Sequence, residues 1–245
     1  MDLKLNQHSR SELIYMARLF ERAEKFPEMA ICIEHFIKMN PKLNHEERNI
    51  LSAGFKNLIS NKRFSWRYLQ NMINKEEKEG NIVASSYIKE IKKRVEDEIK
   101  KICKDINTLL DSFLIPHSED DNEFKVFYLK MKGDYFRYLC EFLKDDELNA
   151  VTTNAEKTYK EAFELAEKTL PISSTTRLGT ALNYSVLMFE IMNNKDEACV
   201  IAKQALDEGL KILDELEKNK QKDTILIIQL LMENLMLWNA EEKDE

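Results

Sequence analysis

The chain has 245 residues, 33% of them charged, yet only five glycines and four prolines. So little turn punctuation argues against a β-sandwich, a glycine-rich phosphate loop or long unstructured tails, and favours long helices on short connections. A net charge of −7 makes a general nucleic-acid binder the wrong class, and any anion site must be a local basic cluster on an acidic background.

Helical periodicity runs through nearly the whole chain. Ser11 to Lys25 is a first amphipathic stretch, with Leu13, Met16, Ala17 and Phe20 on one face. Pro27 opens a second helix carrying Met29, Ile31, Cys32, Ile33 and Phe36, and Pro41 stops it. Asn44 caps a third, with Glu46 and Glu47 in its first turn, which runs to about Lys78 before Gly80. A charged helix from Ala84 to Leu114 ends at Pro116, and Phe124 to Leu143 follows a polar loop. Glu147 to Thr169, Thr175 to Met192, Asp196 to about Glu217 and Asp223 to Asn239 complete nine antiparallel helices. No shift in composition marks a boundary, so residues 1–245 read as one helical domain, with an extension over 1–10 and an acidic tail over 239–245.

The four cysteines are widely spaced within helical patterns, which predicts buried free thiols rather than disulfides or zinc ligands. The first ten residues lack the apolar run of a signal peptide, and Ile225 to Met232 is too short to span a bilayer. A soluble cytoplasmic protein, with nuclear access possible and no membrane insertion, is the expectation.

No nucleophile elbow, paired-histidine metal motif, phosphate loop or dinucleotide fingerprint is present. No catalytic residue, metal ligand or cofactor is therefore assigned. Two other readings stay open. Leu178-Gly179, Ala181, Tyr184 and Ala205 have the look of tetratricopeptide hairpins, which would bind acidic peptides. Asp120-Asp121 and Asp145-Asp146 suggest a helical magnesium-dependent diphosphate enzyme, but neither pair continues as D-D-x-x-D.

Two basic sets carry more information. Lys56 and Arg63 lie seven residues apart, about 10 Å along one helix face, with Arg67 a further turn on. Lys130 and Arg137 repeat that spacing, with Tyr138 adjacent. Cations converging from two helices suit a dianionic phosphate; exposed basic faces, or pairing with Asp134, are the alternative. Asn183 and Asn234 interrupt apolar stripes containing Leu182 and Val186 on one helix and Leu226, Ile227, Leu230 and Trp238 on another. A side-chain amide there can grip the main chain of an extended segment, or simply bridge two helices.

At these residues the chain resembles the 14-3-3 family, from about Ser11 to Trp238. Four separated runs carry the likeness in the right order: Arg48 to Asn57, Phe127 to Leu139, Arg177 to Val186 and Lys222 to Trp238. The resemblance implies an all-α, cup-shaped protomer of nine antiparallel helices with an amphipathic groove, working as a homodimer or heterodimer. It implies a non-enzymatic adaptor for phosphorylated client proteins. Lys56, Arg63, Arg137 and Tyr138 would hold the phosphate. Lys130, Leu182, Asn183, Val186, Glu190, Ile227, Leu230, Asn234 and Trp238 would line the groove. Leu19, Ala23, Lys25, Glu28, Ser65, Arg94 and Glu98 would form the dimer contact, with Lys25 facing Glu98, and Glu28 facing Arg94, of the other subunit.

The departures are specific. Phe55 stands in place of a signature tyrosine, Met232 where a basic residue is usual, Ile91 where a tyrosine is usual at the dimer contact, and Asn194 at a phosphorylation site of some members.

Overall fold

The computed structural model describes residues 7–214 and 221–240. They form helices joined by short connections, with no strand among them, and the all-α expectation holds. Nine α-helices are complete among the described residues: α1 (Arg10–Arg22), α2 (Phe26–Met39), α3 (His45–Lys78), α4 (Ile82–Leu109), α5 (Asn122–Cys140), α6 (Asp145–Thr169), α7 (Thr175–Glu190), α8 (Lys195–Lys211) and α9 (Lys222–Ala240). The predicted helix end at Glu217, the first six residues of the N-terminal extension, and the tail beyond Ala240 lie outside the described residues.

The chain divides into two compact units, residues 1–117 and 118–245. In the first, α1 packs on α2 and α3, and α3 packs on α2 and α4. Ser9 starts α1 with a capping box closed by Glu12, so the helix begins one residue before the predicted Ser11. Asn44 and Glu47 repeat the device at α3. Glu47 also takes a two-pronged salt bridge from Arg10 of α1, at 2.5 and 2.9 Å, and is itself buried. That hydrogen bonding to Arg10 holds the Glu47 carboxyl below its ordinary value despite burial. Its stabilising contribution is present above the unfolded carboxyl value and is lost as pH falls through the folded one.

Leu13, Ala17, Phe36, Leu51, Phe55 and Ile106 lie in this unit's core. The burial of Phe55 explains why a ring without a hydroxyl is accepted there. Ile31 is not on the buried face of α2: it is 42% exposed. Gly80, at φ +79, takes the left-handed turn that ends the α3 connection. The charged helix predicted to reach Leu114 stops being α-helical at Leu109, passing through a π turn (Leu110–Leu114) and a 3-10 turn (Ile115–His117). Pro116 has no N–H to extend the ladder, while Leu110 and Leu114 stay fully buried.

In the second unit α5 packs on α6 and α7, α6 on α7, and α7 and α8 on α9. Tyr159, Leu178, Leu187, Ala202 and Leu231 are fully buried within it. Asp121 caps α5 by accepting from the Glu123 and Phe124 backbone N–H groups, so this aspartate terminates a helix. Asn194 caps α8 through the Glu197 N–H. All four cysteines are free thiols; Cys32, Cys103 and Cys140 are buried, whereas Cys199 is only half-buried.

Candidate functional site: a basic and amide-lined face on the second unit

Three helices of the second unit contribute to one polar cluster. Lys130, Asp134, Arg137 and Tyr138 recur along α5 at intervals of three and four residues, which places them on neighbouring positions of the helix surface. Asp134 is the hub. It is buried, and Lys130 Nζ donates to it at 2.8 Å, Asn183 Nδ2 from α7 at 2.6 Å, and the Tyr159 hydroxyl from α6. Arg137 Nε donates to the same Tyr159 oxygen at 3.4 Å. Its guanidinium also lies 5.2 Å from the Tyr138 ring centre.

The electrostatics follow from these contacts. Burial disfavours the Asp134 carboxylate, but Lys130 and Arg137 outweigh it and hold the carboxyl below its usual value. Burial and Asp134 push the Tyr159 phenol well above its usual value, so it remains a neutral donor. Burial works against the Arg137 charge, and Tyr159 and Asp134 more than restore it. Two cations thus share one carboxylate, and this face keeps a net positive charge. Lys130 is half of what the alternative sequence reading allowed: its ammonium is engaged by Asp134, leaving Arg137 as the cation held chiefly through Tyr159.

One glycine permits this arrangement. A methyl group on Gly133 would lie 3.0 Å from three atoms of the Tyr159 ring, so only glycine lets that ring lie flat against α5. On α7, a methyl on Gly179 would sit 3.5 Å from Lys130 Cε and 3.6 Å from Ile227 Cδ1. Gly179 is therefore flanked by the Lys130 stem on one side and by α9 on the other.

Beyond Gly179, α7 continues along the same side with Asn183, Val186 and Glu190, the first two half-buried and the last exposed. On α9, Ile227 and Asn234 are half-buried and Leu230 is exposed. Leu182 is buried at the edge of the core. Trp238 belongs to the core rather than to an open face: it is 5% exposed and stacks on Phe189 with centroids 4.6 Å apart. Met232 is 39% exposed, an apolar side chain on the surface of α9. The second unit therefore presents cations on α5, an amide and aliphatics on α7, and aliphatics on α9.

The first unit holds the other basic set. On α3, Lys56 is exposed and makes no ion pair with a described residue, while Arg63 is half-buried. Further along, the α3–α4 hairpin exposes an apolar set, Phe64 (73%), Tyr68, Tyr87 and Ile91, of which only Ile91 is expected at the dimer contact from the sequence. Their i, i+4 spacing on each helix is the signal that identifies them. Leu19 of α1 is also exposed. Ser65 sits half-buried beside Phe64 and donates to the Asn61 carbonyl at 3.0 Å. Two of the charges expected to face another subunit have partners within the chain: Glu98 with Lys62 at 2.5 Å, and Arg94 with Glu90 at 2.7 Å.

The family model described as "14-3-3 protein" matches residues 16–239. The chain belongs to the 14-3-3 family. Among its relatives, human 14-3-3 protein eta is 41% identical over 237 residues, covering 96% of each chain. The 14-3-3-like protein GF14 iota of Arabidopsis thaliana is 44% identical over 232 residues, 95% of this chain and 86% of its own. A Xenopus laevis relative, 14-3-3 protein beta/alpha-B, is 42% identical over 236 residues, again 96% of each. Membership makes this chain a non-enzymatic adaptor of a phosphopeptide-binding family, which sets aside both the diphosphate-enzyme and the tetratricopeptide readings. No helix among the described residues is long and apolar enough to cross a membrane.

Proposed function

We propose that this 14-3-3 protein binds phosphoserine- or phosphothreonine-containing segments of client proteins and does so as a dimer. The cluster on α5 carries the reading. Arg137 is charged, fixed by Tyr159 and set beside Tyr138, and the adjoining faces of α7 and α9 offer an amide and aliphatic side chains. The family resemblance adds Lys56 and Arg63 of α3 to the cations expected to meet the phosphate. Lys130 adds its stem to the groove, and Asn183 and Asn234 hold the main chain of the segment. Leu182, Val186, Ile227 and Leu230 touch its side chains and Glu190 contacts its neighbouring polar groups, while Trp238 supports this face from the core behind it.

The test is a titration with one peptide in phosphorylated and unphosphorylated form, with and without magnesium. Each charge-assisted bond to phosphate contributes about 1.5–3 kcal/mol, so dephosphorylation is expected to weaken binding at least ~100-fold, with no effect of magnesium. Equal affinity for the two peptides would remove the reading.

For the dimer, the supporting observations are the exposed apolar side chains Phe64, Tyr68, Tyr87 and Ile91 of the α3–α4 hairpin and, separately, Leu19 of α1. The pairs of Lys25 with Glu98 and Glu28 with Arg94 of the other subunit contribute less. Exposed pairs are worth only about 0.2–1 kcal/mol, and here Glu98 and Arg94 must give up partners of their own. Ala23 packs alongside. Ser65 adjoins this surface, and a phosphate there adds about −1.5 to −2 charges. Ser65→Glu is therefore expected to sediment as a monomer at concentrations where the wild type and Ser65→Ala are dimers. Dimers in all three would show that Ser65 is no switch in this protein. Clients, and the choice between like and unlike subunits, follow from what these surfaces meet in the cell.

A further inference from the structure

The Asn183 amide is turned by its neighbour. An ionised carboxylate only accepts hydrogen bonds, so the atom of Asn183 that lies 2.6 Å from Asp134 Oδ1 must be the nitrogen. The opposite end of the amide is the carbonyl oxygen. It makes no hydrogen bond with any described residue and is not among the buried unpaired atoms, so it is open to solvent. Asp134 is in turn immobilised by Lys130 and Tyr159, and Tyr159 lies in the space that Gly133 leaves. The position of one amide thus depends on contacts from three helices.

We propose that Asp134 is a positioning residue that locks Asn183 in one of its two amide orientations, presenting the carbonyl oxygen as a preformed acceptor for one backbone N–H of a bound segment. This rests on the phosphopeptide reading above. It gives that reading a polarity: the residue seeks an N–H at one point of the ligand, so a proline or N-methyl residue there is rejected. Asp134 also acts apart from the phosphate, because its own charge repels that group while its partners attract it. In Asp134→Asn, a single acceptor oxygen faces three donors, and the new NH2 group favours the reversed Asn183 amide.

The experiment has two arms. In the first, a phosphoserine peptide selected from a degenerate library on the wild-type protein is remade with each backbone amide in turn replaced by an ester, which deletes one N–H. One position is expected to lose about fivefold in affinity with wild type, the worth of one hydrogen bond. With Asp134→Asn that penalty should fall below about twofold, while both proteins still require the phosphate. The weaker carbonyl of an ester affects both proteins alike and cancels in the comparison. A penalty of the same size in both overturns the lock, whereas binding that ignores the phosphate overturns the function on which it rests.

The second arm needs no peptide. In the free wild-type protein labelled with 15N-asparagine, the Asn183 side-chain NH2, assigned by its loss in Asn183→Ala, should show one proton shifted downfield and slow to exchange. An NH2 signal at the position of a free amide would mean there is no lock, whatever the peptides do.

Discussion

Replacing Lys56 with Glu is expected to lower affinity for a phosphoserine peptide at least tenfold, about 1.4 kcal/mol, and to leave the fold intact. Lys56 is exposed and has no ion-pair partner among the described residues, so none of these depends on its charge. A surface change of this kind usually alters stability by less than about 0.5 kcal/mol. The loss in binding comes from removing one donor and placing a carboxylate beside a dianion. Isothermal titration together with a melting curve checks both halves. A variant that melts like wild type and binds like wild type would take Lys56 out of the phosphate site. The salt dependence should change too, since part of the attraction between exposed charges is screened.

Asp134→Ala should act the opposite way, through stability first. The carboxylate is buried and receives Lys130, Tyr159 and Asn183. Without it, two cations face one another and two polar groups lose their acceptor. Breaking a buried charge pair from one side costs about 3–5 kcal/mol, which for a chain of this size lowers the melting midpoint by roughly 10 °C. The pH dependence has a definite sign. The Asp134 carboxyl is held below its usual value, so its contribution is present above the unfolded carboxyl value, about 3.9, and is lost as pH falls through the folded one. Melting curves should therefore separate wild type from Asp134→Ala clearly at neutral pH, and converge in strong acid. A constant difference across that range would mean the ionised carboxylate is not what stabilises the site.

The helices were legible because each carries its own punctuation: Asn44 before Glu47, Pro27 at a helix start, Gly80 at an end. The π turn after Leu109 was not, since Leu110 and Leu114 fit an uninterrupted α-helix equally well by periodicity. Along α5, Lys130, Arg137 and Tyr138 were readable as a set because their spacing is local to one helix. Asp134, the acceptor that organises them, is visible in the sequence only as a charge able to neutralise them. Tyr159 could not be found at all from spacing. Its role depends on α6 packing against the single position on α5, Gly133, where no side chain intervenes. Asn183 was read as either a main-chain ligand or a bridge between helices. Its two ends make those alternatives compatible: the nitrogen bridges to α5 and the oxygen stays free.

The chain contains two tryptophans, and each compact unit holds one of them. Trp66 of α3 is half-buried, donates to Glu96 at 2.8 Å and has Lys92 Nζ 5.1 Å from its ring centre. Trp238 of α9 lies in an apolar core against Phe189. The two indoles therefore sit in opposite dielectric surroundings, one polarised by charges and one dry, so their emission maxima differ in colour. Trp66→Phe and Trp238→Phe leave a single fluorophore each, which makes the chain its own two-channel reporter: the bluer signal follows the unit that carries the basic and amide-lined face, and the redder one follows the unit that carries the apolar hairpin.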